Sequence, residues 1–205
     1  MTKEIKEMRI AFTGAAGGIG SVIADELSSL GARVAICDKD AERVQAFTAD
    51  REDIFASVGN VSNETDVIDF FSGVEAKLGG LDALINNAGI AGPMTNLEKF
   101  NFADWQETIS VNLNGAFLCS KEAIPMLRTA GGGSIINIGS TSSFFGTPLR
   151  SAYSATKWAL VGLTKTWAME YGHENIRVNV ICPGSVNGPR IERVIKKEAG
   201  ERGTD

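Results

Sequence analysis

The chain has 205 residues, 43% apolar and 22% charged, with 20 lysines and arginines against 25 aspartates and glutamates. That length supports one domain with a well-buried core, and a formal charge of −5 offers no basic footprint for nucleic acid. No apolar run approaches the roughly 20 residues of a membrane span, a lone histidine rules out a multi-histidine metal site, and three cysteines without paired spacing suit free thiols, not a disulfide framework or metal knuckle.

The charged opening, residues 1–9, has no apolar stretch ahead of a cleavage site. No signal peptide is therefore expected, and the protein is expected in the cytoplasm. Arg9–Thr13 reads as a first strand. It runs directly into Thr13-Gly-Ala-Ala-Gly-Gly-Ile-Gly20, after which helical periodicity covers about 18–30. Gly14, Gly18 and Gly20, with Ile19 between the last two, allow a tight turn and a close backbone approach to a pyrophosphate. The helix that follows offers unpaired N–H groups and the positive end of its dipole. A strand before and a helix after are the context such a loop requires. The second strand, Ala32–Cys37, is closed by Asp38, 18 residues beyond Gly20. An acidic side chain there suits the adenosine ribose hydroxyls, and a 2'-phosphate would meet like charge, which favours NAD over NADP. The plainer alternative makes Asp38 a turn residue or the cap of the next helix.

Further short apolar runs follow at Asp53–Ser57, Leu81–Ile85, Ser134–Ile138 and Ile176–Cys182, alternating with helical patterns at about 40–50, 63–78, 101–129 and 151–173. Consecutive apolar residues in these runs suit strands covered on both faces. Strand–helix alternation predicts a parallel sheet with right-handed crossovers. The predicted fold is a Rossmann-type doubly wound parallel sheet in three α/β/α layers, one domain over 1–205, with its ligand crevice at the carboxyl ends of the strands. Gly131-Gly-Gly133 reads as a loop. On the last long helix Tyr153 and Lys157 stand one turn apart on a single face. A free tyrosine ionises near pH ~10, so a catalytic tyrosine needs a neighbouring cation to favour its phenolate.

With these motifs in order, the sequence resembles the short-chain dehydrogenase/reductase family over essentially its whole length. Thr13-Gly-x-x-x-Gly-Ile-Gly20 is similar to the family's cofactor loop, Asn86-Asn-Ala-Gly89 to the segment after the fourth strand, and Pro183-Gly184 to the turn after the sixth. Asn112, Ser140, Tyr153 and Lys157 match the catalytic positions, with Ser140 lying 13 residues before Tyr153. The resemblance implies that Tyr153 is the acid/base and that Lys157 also holds the nicotinamide ribose. It implies that Ser140 bonds the substrate oxygen and that Asn112 holds a water linking Lys157 to solvent. It places Ala88, Gly89, Pro183, Gly184 and Val186 beside the cofactor, gives Asn87 a supporting role, and implies a homotetramer or homodimer.

Departures from the pattern are local. Asn60-Val61 stands where the family has Asp-Val at the adenine site, and asparagine keeps a carbonyl acceptor. Gly17 leaves neutral a loop position that is basic in many NADP users. Gly188 replaces a threonine that touches the carboxamide. After Pro183-Gly184 only about 20 residues follow, so residues 185–205 are expected to begin a substrate-binding loop, with Ile191–Glu201 helical, and the final strand and helix are expected to be lacking. Phe144, Phe145, Arg150 and Arg190 flank the site. The aromatic pair suits an apolar wall or core packing, and either arginine suits an acidic substrate group or plain surface.

The reading is an NAD-dependent oxidoreductase that interconverts a secondary alcohol and a carbonyl, without a metal. A 3-oxoacyl thioester reductase of the same family is the alternative within enzymes. A non-catalytic dinucleotide-binding protein is the alternative outside them, against which the full Asn112, Ser140, Tyr153, Lys157 set argues.

Overall fold

Six parallel strands make the sheet of the computed structural model, which describes residues 3–51, 53–188, 192, 194–196 and 199. They are β1 (Arg9–Thr13), β2 (Arg33–Asp38), β3 (Phe55–Val58), β4 (Ala83–Asn86), β5 (Gly133–Ile138) and β6 (Ile176–Ile181), in spatial order β3-β2-β1-β4-β5-β6. The order reverses at β1, which pairs with β2 on one side and β4 on the other, bringing Thr13 level with both Cys37 and Asn86. In a doubly wound sheet the ligand crevice opens at the carboxyl ends beside this reversal.

The helices are α1 (Gly18–Ser29), α2 (Ala41–Thr48), α3 (Glu64–Leu78), α4 (Phe102–Ile109), α5 (Gly115–Thr129) and α6 (Ser151–Tyr171). Side chains of α2, α3 and α4 close their own first turns: Asp40 accepts from Arg43 N, Asn63 from Thr65 N and Asp66 N, and Asn101 from Ala103 N. Such a cap is worth about 1 kcal/mol. Helix α1 differs. Its N-cap is Gly17, with no side-chain cap, so its first N–H groups stay available.

Alternation along the central strands divides the core in two. Ile10 and Phe12 of β1 and Val34 and Ile36 of β2 face one layer with Ala24 and Val44. Ala11, Ala35 and Cys37 face the other, with Phe70, Val74, Leu127 and Ile135. Phe12, Phe70 and Ile36 are almost wholly buried, each contributing about 1.5–3 kcal/mol relative to exposure.

Three strands begin later than their apolar runs. Ala32, Ile54 and Leu81 are buried but precede the ladders, so packing, and not strand pairing, accounts for their apolar character. The expected helix over 101–129 is interrupted by a π-helical turn at Ser110–Asn114, which the periodicity of the sequence conceals. Among the described residues β6 is an edge of the sheet, and Arg177, Asn179 and Ile181 along it are exposed. Arg190 and most of the expected helix Ile191–Glu201 lie outside the described residues. No helix among those described is long and apolar enough to cross a membrane.

Candidate active site

The glycine loop fits a group that must approach main chain. Gly14 has φ 63°, and a Cβ on it would stand 2.7 Å from Ala88 Cα. A Cβ on Gly20 would collide with the Gly14 carbonyl oxygen and come within 2.8 Å of Asn87 Nδ2. The loop and the segment after β4 therefore touch backbone to backbone, which only glycine permits here. Asn87 fastens the contact: its amide donates to Thr13 O at 3.1 Å and Gly14 O at 2.7 Å. The Thr13 hydroxyl oxygen accepts from Asn87 N and Ala88 N, each at 3.2 Å. Asn87 is thus a brace between the first and fourth strand ends. The uncapped N-terminus of α1, with Gly18 and half-buried Ile19 in its first turn, supplies N–H donors of the kind that hold a pyrophosphate.

Asp38 ends β2 beside this loop. Its carboxylate accepts from Ala16 N at 3.2 Å and Asp40 N at 3.1 Å. It does not cap α2, since Asp40 does. Gly17 is less neutral in its setting than in the sequence: a Cβ there would lie 3.3 Å from Arg43 Nη1. Helix α2 thus brings a guanidinium, paired with Asp40 at 3.0 Å, to the place a basic loop side chain would fill. Asn60 also reads differently in three dimensions. Its side-chain oxygen accepts from Ser62 N at 3.1 Å and Ser62 Oγ at 2.8 Å, so both lone pairs of the expected acceptor are spent in its own turn. Val61 is buried, its Cγ2 2.6 Å from where a Gly115 Cβ would stand.

On the far side of the crevice Asn112 sits within the π-helical turn, 1% exposed. Its Oδ1 accepts from Ile90 N at 2.7 Å, and its Nδ2 donates to Ile90 O at 2.9 Å and Thr156 Oγ1 at 3.2 Å. The π turn lets one side chain brace both the segment after β4 and helix α6, as such turns do at many functional sites. Gly89 lies against it: a Cβ there would come 3.2 Å from Asn112 Oδ1 and 3.7 Å from Lys157 Nζ. Lys157 is 5% exposed, donates to Ile138 O at 2.6 Å, and holds its ammonium 5.7 Å from the Tyr153 ring centre. Ser140 begins the turn after β5, where its Oγ accepts from Ser142 N at 3.2 Å. Thr141 N donates to Pro183 O at 3.0 Å, which ties the ends of β5 and β6 together. Of its neighbours Thr141 is exposed, whereas Ser142 and Ser143 are buried; Ser140 itself is half-buried.

Phe144 and Phe145 are 52% and 68% exposed, which excludes core packing for both. Val186 and Gly184 are also exposed. Arg150 lies over the Tyr153 ring, its Cζ 4.1 Å from the centre. Two features were not read from the motifs. Arg43 reaches Gly17 only because of how α2 is oriented. Asn86 and Asn137 form a buried polar chain: Asn86 Nδ2 donates to Ser120 Oγ and Asn137 Oδ1, each at 2.9 Å, and Asn137 Nδ2 to Thr164 Oγ1 at 2.9 Å. Of the cysteines, Cys37 and Cys119 are buried, and burial pushes the Cys37 thiol up to about 12, so neither is a nucleophile at neutral pH. Among the described residues no group of three or more His, Cys, Asp or Glu could hold a metal ion.

A family model described as short chain dehydrogenase matches residues 9–199. Levodione reductase of Leifsonia aquatica is 31% identical over 202 residues, covering 96% of this chain and 76% of that protein. The structure of NAD+-bound xylitol dehydrogenase superposes with a TM-score of 0.92 at 31% identity, over 96% of this chain and 78% of that one. The 3-ketoacyl-(acyl-carrier-protein) reductase of Brucella melitensis, complexed with NADH, gives 0.86 at 29% identity, over 89% and 78%.

Proposed function

The chain belongs to the short-chain dehydrogenase family of oxidoreductases, and from that premise we propose that it interconverts a secondary alcohol and a carbonyl with NAD as its cofactor. The observation that carries this reading is the meeting of Tyr153, Lys157, Asn112 and Gly89 beside a glycine loop with an uncapped helix behind it. When bound, NAD supplies the hydride acceptor. Gly14, Gly18, Ile19 and Gly20 would hold its pyrophosphate, Asp38 its adenosine ribose, and Val61, Ala88, Pro183, Gly184 and Val186 its flanks.

The catalytic side chains divide the work. Tyr153 accepts the alcohol proton during oxidation and returns it during reduction. Lys157 favours the phenolate by its charge and holds the nicotinamide ribose. Ser140 donates a hydrogen bond to the substrate oxygen, fixing the reacting carbon. Asn112 braces Ile90 and Thr156 and retains one lone pair on Oδ1 for a relay water. Phe145, exposed beside the Ser140 turn, gives the substrate an apolar wall.

A second reading, reduction of a 3-oxoacyl thioester, has support in the likeness to the Brucella reductase. That protein was solved with NADH, so cofactor preference does not separate the two readings and a substrate panel must. The test screens NAD reduction over secondary alcohols, sugars and hydroxy acids, and NADH oxidation over 3-oxoacyl thioesters. Tyr153→Phe is expected to keep NAD binding while lowering turnover by about 100-fold or more. Full activity in that variant would remove Tyr153 from its role, and NAD binding without turnover across the panel would favour a non-catalytic binder.

A further inference from the structure

Arg150 immediately precedes α6, and its guanidinium carbon is closer to the centre of the Tyr153 ring, at 4.1 Å, than the Lys157 ammonium, at 5.7 Å. An unusual turn puts it there. Leu149 has φ 64°, a conformation that costs a branched side chain strain and persists only where its surroundings impose it. The surroundings here are both walls of the crevice. Leu149 O accepts from Thr95 N at 3.0 Å, in the segment after β4. Arg150 N donates to Thr147 O at 3.3 Å, and the Thr147 hydroxyl donates to Ser142 Oγ at 2.9 Å, in the turn that Ser140 begins.

A cation over an aromatic face is attracted by the ring, and more strongly once the phenol has lost its proton and carries charge. A lysine ammonium titrates in the same range as a phenol, whereas a guanidinium stays charged throughout it. Among the described residues the elements packed on α6 carry Asp104, half-buried, and Glu107, exposed, on α4, Arg177, exposed, on β6, and His173 and Glu174 just after the helix, whereas the Thr141–Ser143 and Ser110–Asn114 turns carry no charge.

We propose that Arg150 is a positioning residue of the active site, seated on the Tyr153 ring by the Leu149 turn so that it fixes the phenol and stabilises its phenolate. This rests on the reading of Tyr153 as the proton acceptor, and it assigns Arg150 to the base instead of to an acidic substrate.

The chain has two tyrosines, so Tyr171→Phe leaves Tyr153 as the only phenol, and its ionisation is read from near-ultraviolet phenolate absorbance with neither substrate nor cofactor present. In that background Arg150→Met is expected to raise the ionisation midpoint by about one pH unit, a tenfold change in phenolate at fixed pH. Arg150→Lys is expected to recover at least half of that. Arg150→Gln, which removes the charge and keeps a polar end, is the second neutral variant should the methionine variant fold poorly. A midpoint unmoved in the folded neutral variant overturns the proposal. Failure of the wild-type chain to oxidise any alcohol would count against the proposed function alone, because this absorbance requires no turnover.

Discussion

Asp38 and Arg43 bring opposite charges to the mouth of the glycine loop, and between them they should set which dinucleotide is used. The carboxylate, which accepts from Ala16 N, would repel a 2'-phosphate and accept from ribose hydroxyls in the proposed reading. The guanidinium over Gly17 is held back by Asp40. Asp38→Ala is therefore expected to reduce the preference for NAD over NADP, measured as the ratio of kcat/KM values, by about tenfold or more, equivalent to about 1.4 kcal/mol. Adding Arg43→Ala should reverse most of the gain in NADP use. An unchanged ratio in the first variant would show that Asp38 does not select. Asp38 was legible because its place is counted along the chain from the glycine loop. Arg43 was not, since which side of α2 faces Gly17 is a property of packing and no local pattern records it. The same distinction separates the Tyr153–Lys157 pair, fixed by one helical turn, from the seating of Arg150, which depends on Leu149 and on Thr95 more than 50 residues earlier.

The elements show where such local reading succeeds and where it stops. Apolar runs and helical periodicity located the six strands, most plainly the central ones, because a strand buried on both faces leaves a continuous apolar record. The π turn left none, since Ser110–Asn114 differs from its flanking helices in hydrogen-bond register, which helical periodicity does not record. Asn112 makes that turn matter. Asn112→Ala would leave Ile90 N–H and C=O unpaired and is expected to cost about 2–4 kcal/mol, read as a lower denaturant midpoint. A loss below about 0.5 kcal/mol would mean that the segment after β4 is held by other contacts. At the other end of β1 and β4 a second device is electrostatic. Burial works to raise the Asp82 pKa, but hydrogen bonds from Arg9 and Lys3 override it and hold the carboxyl well below the usual carboxylate range. A depressed folded-state pKa stabilises fully above the unfolded value of about 4 and is lost as pH falls below that value. Asp82→Asn should thus cost about 3 kcal/mol at neutral pH, with the gap to wild type narrowing as pH drops below about 4. A gap independent of pH would show that the charge of Asp82 is not what stitches these strands.

Taken whole, the molecule places its proposed cofactor contacts on both sides of the sheet reversal. The glycine loop and Asp38 belong to β1 and β2, whereas Ala88, Gly89 and Lys157 belong to β4, its following segment and α6. A ligand spanning that boundary binds only the folded chain and stabilises it by mass action. At a concentration about 100 times its Kd the gain is about 2.7 kcal/mol. For a domain of this size each kcal/mol moves the melting midpoint by about 2–4 °C, so NAD is expected to raise Tm by about 5–10 °C. NADP at the same concentration should raise it less, and Asp38→Ala should bring the two shifts together. Gly14→Ala should suppress both, because its Cβ would enter the Ala88 main chain at a positive φ. The two halves of the site can be separated by hydrogen exchange: protection gained on β1, α1 and β2 alone would mean that only the adenosine end is held. Protection extending to the 88–90 segment and the start of α6 would mean that the nicotinamide end reaches Tyr153 and Lys157. No change in Tm with either dinucleotide would remove the cofactor from the reading altogether, and with it the reason for Tyr153 and Lys157 to share a helix face.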